Sequence, residues 1–120
     1  MKADKAYVEN HAPLLATRLC ASTNTVVALK GATTWIAGPG QLWTHKGRNS
    51  GLATAGSGDV LAGVVAGLAA RGATAAQATV WGVVLHALSG ASLRRRHGAL
   101  GLLARELPHE IPKIMEALRA

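Results

Sequence analysis

Three observations predict an α/β fold for this chain. Short apolar runs rich in β-branched and aromatic residues follow one another at 25–29, 33–37 and 41–44. A glycine-rich element, Gly56-Ser57-Gly58-Asp59, closes that region, and beyond it come long runs of Val, Leu, Ala and Gly of helical length. The composition permits folding: 49% of the residues are hydrophobic and 16% charged, so the chain lies outside the class that buries too little apolar surface to offset ordering entropy. With 120 residues and no break in composition, residues 1–120 read as one domain without a linker. There is no Phe, so Ala, Val, Leu and Gly must build the core.

From Lys2 to about Cys20 the spacing of Val8, Leu14, Leu15 and Leu19 predicts a helix, with Pro13 interrupting it or starting a second turn. Ser22 to Asn24 is a polar break, and Thr25-Val26-Val27-Ala28-Leu29, bounded by Lys30-Gly31, reads as a buried strand. Thr33 to Ala37 and Gln41 to Thr44 are two further strands, joined as a hairpin by Gly38-Pro39-Gly40. A polar, flexible loop is expected from His45 to Gly51. Val60 to Ala70 should be a helix, with Gly63 and Gly67 on one face able to touch another backbone, and Gly72 stopping it. Thr74 can cap a second helix from Ala75 to about Arg95, with Trp81 as core filler, and Leu107 to Leu118 has helical spacing again.

A net charge of +7 raises the possibility of nucleic acid binding, but the only dense run, Arg94-Arg95-Arg96-His97, has no interleaved aromatics to stack bases and reads as a solvated helix end. No nucleic-acid partner is expected, and the positive field suits a phosphorylated small molecule. The stretch from Ala73 to Leu93 is long enough for a membrane span yet contains Gln77, His86 and several Thr and Ser, so no membrane partner is expected. The lone Cys20 fits a reducing compartment, and with no secretory pattern at the start the cytoplasm is the expected location.

The chemistry concentrates at Gly56-Ser57-Gly58-Asp59, placed where strands and loop give way to an apolar helix. Backbone N–H groups at a helix start form an anion site, and glycines let a phosphate approach them. A carboxylate beside that site works against anion binding, which suggests that Asp59 accepts the proton of a hydroxyl attacking the phosphate. The alternative is that Ser57 or Asp59 simply caps the helix, and spacing alone leaves both open. The element lacks the Lys-Ser/Thr ending of a Walker loop and the three spaced glycines of the dinucleotide fingerprint.

The stretch from Asn49 to Gly63, with its asparagine, Ala53-Thr54 pair and Gly-Ser-Gly-Asp element, resembles the hallmark of the NAD(P)H-hydrate dehydratases of the ribokinase-like superfamily. Upstream, Val27 to Thr34 is similar to that family's adenosine-nucleotide segment, and downstream His86, Gly101 to Ala104 and Glu110-Ile111-Pro112 are similar to its closing helices. Ser50 stands where a proline is usual, Ala55 where a glycine is usual, and Ala104-Arg105-Glu106 where the family has a small polar residue and Asp.

The resemblance implies the C-terminal portion of a ribokinase-like three-layer fold, with sheet-edge strands followed by packed helices. It also implies an activity: ADP- or ATP-dependent dehydration of the S form of hydrated NADH or NADPH, with magnesium on the nucleotide and no metal ligands from the protein. On this reading Lys30, Gly31, Ala32, Thr33, Thr34 and Gly58 bind the nucleotide; Gly56, Ser57 and Gly58 form the phosphate hole; Asp59 is the catalytic base; and Asp59 with Asn49 contacts substrate. Lys30 and Asn49 have ordinary alternatives, a solvated lysine at a strand end and an Asx turn ordering the glycine loop. His86 reads as a satisfied core histidine and stays out of the site, with His45 and His97. Family members often assemble, and an incomplete sheet exposes an edge, so a homo-oligomer is expected. The competing readings are a ribokinase-like small-molecule kinase and a nucleotide-binding remnant without catalysis.

Overall fold

The computed structural model describes residues 5–46, 56–98 and 103–119. The chain divides into two compact units, Met1–Gly47 and Arg48–Ala120.

The first unit is a helix, α1 (Lys5–Thr23), and an antiparallel sheet of β1 (Val27–Leu29), β2 (Thr33–Gly38) and β3 (Gln41–Lys46) in the order β1-β2-β3. Pro13 does not interrupt α1, which runs through it. Nor does the helix bury its leucines: Leu14 is 48% exposed and Leu19 45%, while Ala12, Ala16 and Cys20 are buried. Spaced by four, these small residues form the packing face, and Ala16 and Cys20 meet Ala37, with Val27, Leu29 and Trp35 around them. Small side chains on both elements let helix and sheet approach closely. Asn24 ends α1 with φ 53°, the left-handed conformation asparagine tolerates best after glycine.

The strand expected over 25–29 is shorter and more open. Only Val27–Leu29 pairs, Ala28 is exposed and its neighbours are half-buried, as suits an edge strand with one partner. The hairpin forms as expected, but Gly38 is the last residue of β2, paired with Gln41, so the turn is Pro39-Gly40. Proline fixes its own φ and Gly40 supplies the positive φ of 69°, as in a type II turn. His45 and Lys46, assigned by sequence to the flexible loop, continue β3.

The second unit is helical: α2 (Ser57–Ala70), α3 (Ala75–His97), a 3-10 turn (Ala104–Glu106) and α4 (Leu107–Arg119). Gly72, at φ 103°, stops α2 as expected. The Gly72 and Ala73 amides close back on the Ala69 and Leu68 carbonyls at 3.0 and 3.2 Å, a Schellman ending. Thr74 opens α3 in a reciprocal capping box: its Oγ1 accepts from the Gln77 amide at 3.1 Å, and its own amide donates to Gln77 Oε1 at 3.0 Å.

The close helix contact is not where the sequence placed it. Gly63 and Gly67 are exposed and line an open groove of about 450 Å³ with Val60, Val64, Pro108 and Ile111. The glycine under contact is Gly82 of α3, where an added Cβ would lie 2.5 Å from Val65 Cγ2 of α2. Trp81, one residue away, is turned out and 50% exposed, a correction to its reading as core filler. Between α3 and α4, Leu93 and Leu107 are buried with Val60 against them.

Beside them Glu110, 2% exposed, accepts from Ser92 Oγ at 2.9 Å and Lys113 Nζ at 3.0 Å and is ion-paired with Arg96. The arginine-rich end of α3 is therefore not merely solvated: Arg96 anchors α4, and His97 lies 3.5 Å from Glu106 Oε2. No helix among the described residues is long and apolar enough to cross a membrane.

Candidate functional site

The glycine element folds as its residue types dictate. Gly56 is the N-cap of α2 with φ 88° and ψ −7°, a left-handed conformation that costs an L-residue about 1–2 kcal/mol and glycine almost nothing. Ser57 begins the helix, and Gly58 and Asp59 complete its first turn. The first amide bonded within this turn is that of Val60, which donates to the Gly56 carbonyl at 3.2 Å. The Gly58 and Asp59 amides precede it, so the helix offers them no carbonyl, and they project from its positive end.

The N-cap position is Gly56, so neither Ser57 nor Asp59 occupies it. Ser57 is 3% exposed, whereas Gly56, Gly58 and Asp59 are exposed. Among the described residues the Asp59 carboxylate has no hydrogen-bond or ion-pair partner. Among the described residues nothing within 4 Å would meet a Cβ on Gly58, so their packing does not require glycine there. An approaching ligand would.

His86 of α3 touches this element directly. It is 3% exposed, and its Nε2 lies 2.9 Å from the Ser57 carbonyl, so that nitrogen carries the hydrogen. The reading as a satisfied core histidine holds. What sequence could not supply was the partner, 29 residues away and a backbone atom.

In the first unit, Lys30, Gly31 and Ala32 make the exposed connection between β1 and β2. Thr33 opens β2 half-buried, and Thr34 is 6% exposed on the same strand. The five expected nucleotide residues thus form one continuous turn and strand start. Asn49 lies outside the described residues. Among those described, no group of three or more His, Cys, Asp or Glu side chains could hold a metal ion.

Comparison with known proteins follows this geometry. A family model described as NAD(P)H-hydrate dehydratase matches residues 3–113. This chain belongs to that family. An ADP-dependent (S)-NAD(P)H-hydrate dehydratase of Xanthomonas campestris is 48% identical over 116 residues, which are 96% of this chain and 40% of that protein. A Bacillus subtilis ADP/ATP-dependent NAD(P)H-hydrate dehydratase, co-crystallised with ATP and magnesium and soaked with coenzyme A, superposes with a TM-score of 0.86 at 30% identity over 93% of this chain and 42% of that one. A ribokinase-like superfamily protein of Enterococcus faecalis superposes at 0.75 with 30% identity, over 84% of this chain and 35% of its own. The α/β fold is therefore ribokinase-like, as the sequence implied, and this chain spans less than half the length of these family members.

Proposed function

We propose that this chain carries the phosphoryl-handling part of an ADP- or ATP-dependent dehydratase that returns the S form of hydrated NADH or NADPH to the normal cofactor. The observation that carries the proposal is the pairing, in one helix turn, of outward amides at Gly58 and Asp59 with an exposed Asp59 carboxylate that has no partner among the described residues. A helix start alone suits an anion; a carboxylate added to it suits an anion that is being attacked.

The chemistry runs from these residues. Asp59 takes the proton of the ring hydroxyl, whose oxygen attacks the terminal phosphoryl group of ADP and displaces AMP. The phosphate ester leaves as inorganic phosphate when the ring nitrogen pushes its electron pair in to form an iminium, and loss of the proton on the adjacent ring carbon to solvent re-forms the nicotinamide double bond. The oxygen of the added water thus ends in phosphate. Backbone amides of the Gly56-Ser57-Gly58 element stabilise charge on the phosphoryl oxygens as preorganised donors do. Lys30 to Thr34 hold the nucleotide, and Asn49 contacts the substrate. Magnesium is proposed to accompany the nucleotide and would neutralise phosphate charge there, a reading supported by the Bacillus subtilis relative co-crystallised with ATP and magnesium.

The cytoplasm is the proposed location, a reading supported by the single cysteine, Cys20, which is free. A homo-oligomer is the proposed assembly, supported by the edge positions of β1 and β3 and by the open apolar groove along α2.

The test is incubation of this chain with hydrated NADH, ADP and magnesium. Recovery of the reduced nicotinamide absorbance together with free phosphate is the expected result. A stable phosphate ester identifies a kinase instead, and nucleotide binding without turnover a non-catalytic binding protein.

A further inference from the structure

We infer that His86 is a positioning residue that sets the direction of the Gly58 amide, and through it the phosphoryl-binding capacity of the α2 N-terminus. The inference deepens the dehydratase reading and rests on it.

The carbonyl of Ser57 and the amide of Gly58 belong to one peptide unit. That unit is planar, with the C=O and N–H pointing in opposite directions, so holding the oxygen aims the hydrogen. His86 Nε2 holds the oxygen at 2.9 Å in a buried setting, from a helix that packs on α2. Polarising the carbonyl also makes the amide on its other end a better donor, since hydrogen bonds in a chain strengthen one another.

The bond matters at this helix start because the N-cap residue brings no side chain of its own. The N-cap is Gly56, which has no side chain with which to cap the turn, and glycine brings the least intrinsic stiffness of any residue. A first turn so built would fray. Gly82 brings α3 up against Val65 of α2, close enough for a side chain of α3 to reach the α2 backbone one helix end away. His86 is the next residue of α3 on that face, one turn beyond Gly82.

Two variants test this. His86→Leu fills the volume but cannot donate, and His86→Gln places an amide nitrogen near the position of Nε2. The full chain is titrated with inorganic phosphate while the Gly58 amide is followed by NMR, and turnover of hydrated NADH with ADP is measured on the same samples.

The expected result is a Gly58 resonance that moves with phosphate in the parent, phosphate affinity about tenfold weaker in His86→Leu and largely restored in His86→Gln. In turnover, kcat should fall by about 10- to 100-fold in His86→Leu while KM for ADP stays within about threefold, because a misaimed donor harms the transition state more than the ground state. Unchanged phosphate affinity and kcat in His86→Leu overturn the inference. So does a loss in both variants that tracks a fallen Tm, which makes His86 a packing residue only. If the parent turns over no hydrate, the dehydratase reading fails for this chain, and the phosphate titration still decides the role of His86.

Discussion

Asp59 is exposed in the first turn of α2 and has no partner among the described residues, so what those residues give its carboxylate in the fold is the helix dipole, about 0.3–1 kcal/mol. Asp59→Asn should therefore leave Tm nearly unchanged while lowering turnover by roughly 10² to 10⁴, the usual share of a positioned base. ADP affinity should hold or rise as a negative charge leaves the phosphate site. Phosphate release and ADP binding, measured beside the parent, check both halves, and equal turnover would remove Asp59 as the base. The neighbouring glycines separate backbone from ligand requirements. Gly56→Ala must adopt φ near 88° and should cost about 1–2 kcal/mol in urea unfolding, whereas Gly58, with open space around it, should accept alanine with stability unchanged or raised by up to about 1 kcal/mol. If Gly58 is there for the phosphate, that stable variant should bind ADP more weakly. Unaltered ADP binding would make the glycine incidental.

Among the elements, the α2–α3 contact turns on Gly82. Alanine there would put its Cβ 2.5 Å from a γ-methyl of Val65, a side chain with little rotameric freedom on a helix. Gly82→Ala should destabilise by about 1–3 kcal/mol, and adding Val65→Ala should recover part of it, a coupling that unfolding of the double variant would reveal. The α3–α4 contact turns on Glu110. Its hydrogen bonds from Lys113 and Ser92, with the positive charges of Arg96 and Lys113, outweigh burial and hold its carboxyl below the ordinary carboxylate range. Folding therefore favours the ionised form. The associated stability is complete above the ordinary carboxylate pKa of the unfolded chain and disappears as pH falls through the depressed folded value. The urea midpoint should drop on acidification from neutrality, and Glu110→Gln should begin lower and flatten that part of the drop. An unchanged pH slope in the variant would show that other carboxylates govern it.

For the molecule as a whole, nucleotide binding should appear as stabilisation. A ligand that binds only the folded chain adds about 2.7 kcal/mol at a hundred times its Kd, so ADP with magnesium should raise Tm in a concentration-dependent way. A melting curve unmoved by millimolar nucleotide would argue against the nucleotide assignment and leave the fold untouched. The net charge of +7 adds a second expectation at this scale. Association of the anionic nucleotide should weaken with added salt, as screening shortens the reach of the positive field.

Local chemistry made several features legible in the sequence: the α/β class, a hairpin around Gly38-Pro39-Gly40, the stop at Gly72, a cap at Thr74, and a helix opening near Asp59. Each depends on dihedral preferences or hydrogen bonds among residues a few positions apart, so the residue types were enough. The tertiary structure decided which faces were covered. Alanines and a cysteine, not leucines, seat α1; Gly82, not Gly63 or Gly67, receives a neighbouring helix; and Trp81 turns outward. It also decided the partners of His86 and Glu110, a carbonyl 29 residues away and donors up to 18 residues away. Burial and long-range partnership depend on how helices meet. Helical periodicity identifies the possible faces of an element, and only packing against the others selects one.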